Sequence, residues 1–162
     1  MDTGQRDASD RADIFPSEIR HRVLEDHARL RLLLERVDSL AHRVLGGDLG
    51  SGGELRLAGQ RLTEKLSRHL DLEDSILVPA LRQIDAWGTE RARRVTVEHA
   101  AQREQIRGLD RDLAAQGDLG ALASELCEFV IELHADMLAE EEAVLNANLL
   151  RDDVVGIDVE TG

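Results

Sequence analysis

His69 stands four residues before Glu73 in the stretch RHLDLEDSILVP, residues 68–79, whose leucines recur at helical spacing. On a helix, residues four apart differ by only about 40° around the axis and sit about 6 Å apart along it. An imidazole and a carboxylate so placed can address one ion on the interior side. That donor pair suits first-row metals such as iron, manganese or zinc. Taken alone, the pair is equally compatible with an ordinary surface histidine beside surface acids.

Three more histidines change that balance. His27, His69, His99 and His134 fall one to each of four helical segments. His21 lies six residues before His27, on nearly the opposite side of its helix, and His42 is about four turns further on, so both are expected to face solvent. The residues three before the four histidines are Leu24, Leu66, Thr96 and Ile131. None is glutamate, which disfavours the Glu-x-x-His design of ferritin-type di-iron bundles. No His-Glu-x-x-His motif, Gly-rich phosphate loop or nucleophilic triad stands out.

The elements that must position these side chains are legible from periodicity. Four segments carry apolar residues at three- and four-residue spacing between breakers. They run from about Ser17 to Leu45, from near Glu54 to about Ile84 with Pro79 close to the end, from Thr89 to just before QGDLG, and from about Gly120 to Leu150. Short connections between four such helices imply an all-α, up-down-up-down antiparallel four-helix bundle. DHARLRLLLERV (26–37) and EHAAQREQIRGL (98–109) also form a weak internal repeat, each opening on an acid-histidine pair. Two facing helical hairpins would bring equivalent histidines together.

The expected organisation is a flexible N-terminal tail over 1–16, the bundle over 17–150 and a flexible acidic C-terminal tail over 151–162. At 162 residues one core is expected, and with aromatics at only 2% its packing falls to leucine, valine, alanine and isoleucine, which favours helices over a sandwich. A formal charge of −13 argues against nucleic acid as a partner. No segment has the length and apolarity of a membrane span, and the polar start lacks the core of a signal peptide. Cys127 is the single cysteine and reads as a small hydrophobe in a reducing compartment, so the expected location is cytoplasmic.

At these residues the chain resembles the hemerythrin-like HHE cation-binding family. Its pattern is a histidine in the first helix and His-x-x-x-Glu in the second, followed by a repeat of both. DHARLRLLLERV is similar to the first element, HLDLEDSILVPAL to the second and EHAAQREQI to the third, and the likeness covers about residues 17–150. The fourth element departs from the pattern, because Leu138 stands four residues after His134. Aligning on the downstream acid instead sets Glu141 opposite Glu73 and Met137 opposite His69. His134 and Glu141 share a helix face but lie about 10 Å apart along it. They could serve different metals, a bulge could shorten the gap, or Met137 could have displaced a ligand; Glu140 is a further candidate.

The resemblance implies a non-haem di-iron centre inside the bundle. His27 and His69 would ligate one iron, His99 and His134 the other, with Glu73 and Glu141 bridging. It implies binding or sensing of O₂, nitric oxide or peroxide. Oxygen carriers of the family have a further histidine one turn after the third-helix ligand, where this chain has Arg103. A simple oxygen carrier is therefore disfavoured, and the arginine could hold an anion or pair with a carboxylate. The competing readings are a di-iron enzyme that decomposes peroxide or nitric oxide, and a metal-free interaction bundle with a degenerate site. No catalytic residue is singled out.

Overall fold

The computed structural model describes residues 14–153, so the expected tails lie for the most part outside the described residues. Four α-helices pack antiparallel: α1 (Pro16–Leu45), α2 (Gly52–Ile84), α3 (Gly88–Ala114) and α4 (Leu119–Ala143). There is no strand among the described residues. α1 packs between α2 and α4, and α2 packs against α3, while α3 and α4 approach each other least closely of the neighbouring pairs.

Each helix boundary has a local cause. Pro16 opens α1, where its missing N–H costs nothing and its fixed φ suits the first turn. The helix stops at Gly46-Gly47, where Gly47 takes a φ of 99° that side chains disfavour. Asp85 closes the α2–α3 turn by accepting the Trp87 amide at 2.9 Å and the Arg91 guanidinium at 2.7 Å. Asp118 caps α4, accepting from the amides of Gly120 and Ala121.

Two boundaries differ from the sequence expectation. α1 begins one residue earlier than expected, at Pro16, so Ser17 lies inside it, and its hydroxyl donates to Asp152 at 2.6 Å. α4 ends at Ala143 instead of Leu150. There the chain turns back, with the Asn146 carboxamide accepting from the amides of Asn148 and Leu149. The turn folds Val144, Leu145 and Leu150 over the end of the bundle, against Ile19, Val23, Leu77 and Leu81. Burying three apolar side chains there outweighs the few helical hydrogen bonds forgone.

That end cluster is one of two. The larger one fills the other half of the bundle, around Leu34, Leu62, Leu109 and Leu126. Between the two lies a layer of buried polar side chains: Asp26, His27, His69, Glu73 and His99. The charged layer is thus roofed and floored by leucine packing, which shields it from water above and below.

Candidate metal centre

Buried charge is costly unless it is paired, and here the pairing is organised around one carboxylate. Glu73 has a side chain only 1% exposed and receives three imidazoles, one from each of α1, α2 and α3. His69 Nε2 lies 3.1 Å from its Oε1, His27 Nε2 lies 3.7 Å from the same oxygen, and His99 Nε2 lies 2.9 Å from Oε2. Glu140 enters from α4, with Oε2 3.6 Å from His27 Nε2.

The outer edges of the imidazoles are held in the same way. His27 Nδ1 meets Glu141 at 2.8 Å, His69 Nδ1 meets Asp26 at 3.2 Å and His99 Nδ1 meets Asp74 at 2.7 Å. Each carboxylate accepts from its ring's Nδ1–H on the outer edge, which turns Nε2 inward, where a cation can take the place of its proton. That is the second layer metal-binding histidines characteristically carry. The carboxylates are anchored in turn. Arg31 donates to Glu141 at 2.8 Å, Lys65 to Asp26, and Arg103 to both Asp74 and Asp71. Arg103 therefore pairs with carboxylates, one of the two roles open to it from sequence.

The electrostatics follow from burial and pairing. Burial alone would push His27 down, but Glu140, Glu73 and Glu141 together carry it up to about 10. His69 is likewise opposed by burial and lifted by Asp26 and Glu73 to about 9. Burial would raise Glu73, yet its three imidazoles hold it well below the ordinary carboxylate value. Glu140 goes the other way, burial pushing it up.

The arrangement still leaves atoms without partners. His27 Nε2, Glu73 Oε1 and Glu140 Oε1 are buried with no hydrogen bond among the described residues. Orphaned buried donors and acceptors are rare, and three in one spot call for a ligand. Together with His69 they offer four ligand atoms that all lie within 4.8 Å of one another. Donors about 2.1 Å from a common ion stand roughly 3 to 4 Å apart, so these four fit a cation after small rotations.

The expected ligands are distributed as follows. His27, His69 and Glu73 come together, and His99 joins them on the far oxygen of Glu73. Glu140, not Glu141, points into the cluster, and Glu141 sits on the outer edge of His27. His134 is half-buried on α4 and stays outside the group, while Met137, one turn on, is buried at 2% exposure beside it. Asp26 and Asp74 were not singled out from sequence. Their one signal is adjacency to His27 and Glu73, and it says nothing of which partner helix they face.

His21 and His42 face solvent as expected, with side chains 72% and 66% exposed. His42 also stands near Asp38 and Cys127, a second grouping of three potential donors, but its Nδ1 already bonds the Asp38 carbonyl at 2.9 Å. Cys127 is half-buried against the larger apolar cluster. No helix among the described residues is long and apolar enough to cross a membrane.

Comparison with the curated proteins and with the solved structures returned no match. The family model described as "Hemerythrin HHE cation binding domain" matches residues 18–149, a span that takes in all four helices but for the first two residues of α1, and every side chain of the buried cluster. The chain belongs to the hemerythrin HHE cation-binding domain family.

Proposed function

We propose that the protein is a non-haem iron protein, di-iron when fully loaded, whose buried centre binds or senses O₂, nitric oxide or peroxide. The observation that carries this reading is the set of three orphaned buried atoms on His27, Glu73 and Glu140. In it, His27, His69, Glu73 and Glu140 hold one iron, and His99 with the other oxygen of Glu73 receives the second. Three imidazoles with carboxylates suit iron better than the oxygen-only sets that calcium and magnesium prefer.

Bound iron would supply a redox-active Lewis acid with a coordination position free for a small ligand. The chain's own contribution is orientation and exclusion. Asp26, Asp74 and Glu141 fix the ring nitrogens, and the two leucine clusters limit access to a small cavity. His134 and Glu141, expected as ligands, act in this reading as a bystander and as an orienting carboxylate. A reducing cytoplasm suits both ferrous iron and the lone Cys127.

Elemental analysis of the purified protein, followed by stripping and anaerobic reloading with Fe(II), tests the proposal. Bound iron and an optical spectrum altered by nitric oxide, O₂ or hydrogen peroxide are expected. Failure to take up Fe(II), or iron-loaded protein indifferent to all three ligands, would overturn it. Catalytic consumption of peroxide or nitric oxide in the same assay would move the reading from binding to turnover.

A further inference from the structure

The donors around Glu73 are unevenly divided. On its Oε1 side stand His27 and His69, with Glu140 3.6 Å from His27 Nε2, three side chains from three helices, and the His27 and His69 side chains are at most 2% exposed. On its Oε2 side stands one imidazole, His99. Glu140, reaching in from α4, can lend that side at most its second oxygen.

The neighbouring positions that could complete the second side do not. Met137 fills the wall with a thioether, a soft donor that hard divalent cations do not favour. Arg103, one turn after His99, carries positive charge and is committed to Asp71 and Asp74. His134 lies outside the cluster.

The second side is also the open one. A cavity of about 20 Å³ adjoins Glu73, His99, Met137 and Glu140 and touches the edge of His69 but not His27, room for roughly one water-sized particle. Its rim carries Glu98 and Asp136 in the gap where α3 and α4 pack least closely. The gap is bridged by side chains instead of by packing: Gln102 donates to Asp136 at 3.1 Å and Gln105 to Glu132 at 3.2 Å.

We infer that the centre has two cation positions of unequal strength: a retained one on His27, His69, Glu73 and Glu140, and a weakly held, exchangeable one on His99 and the far oxygen of Glu73, facing the α3–α4 gap. This rests on the cation-binding reading but on neither iron nor any gaseous ligand. The uneven donor set, and not the shared Glu73, sets the difference in affinity.

Titration of the metal-free full-length protein with Mn(II), counting free Mn(II) by electron paramagnetic resonance, reads the inference directly. Two equivalents are expected, the second at least about 100-fold weaker, since loss of an outer partner of a ligand can alone cost that much. Dialysis should leave one. His99→Ala should remove the second equivalent and keep the first, and Met137→His should tighten the second while the first is unchanged. Two equivalents of equal affinity would overturn the inference, as would one equivalent only, or His99→Ala weakening the tight step as much as the weak one. If His99→Ala does not fold, the wild-type isotherm and Met137→His decide. An Mn(II) result of either sign leaves the iron and gas-binding reading to its own assay.

Discussion

Glu140 and Glu141, neighbours on α4, approach the His27 imidazole from opposite edges. Glu140 Oε2 lies 3.6 Å from Nε2 and Glu141 Oε1 lies 2.8 Å from Nδ1. Adjacent helical residues differ by about 100°, enough to straddle a ring inserted between them. The inner carboxylate has an orphaned oxygen, whereas the outer one is satisfied by His27 and Arg31. Glu141→Ala is therefore expected to lower cation affinity about 10- to 100-fold, the effect of losing an outer partner. Glu140→Ala should cost more. Competition against a chelator of known affinity measures both, and a larger loss in Glu141→Ala would restore Glu141 as the ligand.

The sequence carried most of this arrangement but not its last turn. Helix number, order and antiparallel packing follow from leucine spacing and from breakers such as Gly46-Gly47, which act locally. His69 and Glu73 were legible because four-residue spacing on a helix fixes their relative direction. The α4 contribution was not, because His134, Met137, Glu140 and Glu141 differ only in their height along and rotation about one axis, which spacing within that helix does not relate to the other three. The apolar side that α4 buries, with Leu126, Val130, Leu133 and Met137, turns Glu140 inward. The roles of Asp26 and Asp74 are illegible for a related reason: their partners, His69 and His99, lie on other helices.

The shifted histidines give the metal-free protein a pH dependence of definite sign. His27 and His69 rise from 6.5 to about 10 and about 9 in the folded state. Groups raised on folding stabilise most fully below the unfolded value, and the contribution fades as pH climbs through the folded one. The urea midpoint of the metal-free protein should thus fall between pH 7 and 10. In the cation-loaded protein the ion replaces the protons, so the midpoint should vary less over that range. A metal-free midpoint that rises with pH there would contradict the assignment of these imidazoles as charged.

Gly88 tests the packing that sets α3 against α2. A Cβ added there would fall 1.9 Å from the Leu81 carbonyl oxygen, a backbone atom that cannot swing aside. At Gly59 a Cβ would meet Leu113 Cδ2 at 2.6 Å, the far end of a flexible side chain. Gly88→Ala is expected to destabilise by about 3 kcal/mol or more, and Gly59→Ala by about 1 to 3 kcal/mol, the usual cost of overpacking. Chemical denaturation distinguishes them. Equal losses would mean that the α2–α3 turn yields more easily than its geometry indicates.

Cation binding and folding should be thermodynamically linked, because the four ligand atoms come from α1, α2 and α4 and converge only in the folded chain. A ligand that binds the native state alone, at 100 times its dissociation constant, stabilises by about 2.7 kcal/mol. Wild-type protein should accordingly melt higher with Fe(II) or Mn(II) and return to its lower transition with chelator. His69→Ala removes one of the four clustered donors, so its melting temperature should not respond to the ion. Leu55→Ala, deep in the larger apolar cluster, should lose about 2 to 5 kcal/mol yet keep the full response, since the cavity it opens lies away from the polar layer. This contrast separates a binding site from a bundle that is merely stable. Identical melting of the wild type with and without ion would favour the metal-free interaction bundle, whose buried histidines would then serve only to pair Glu73.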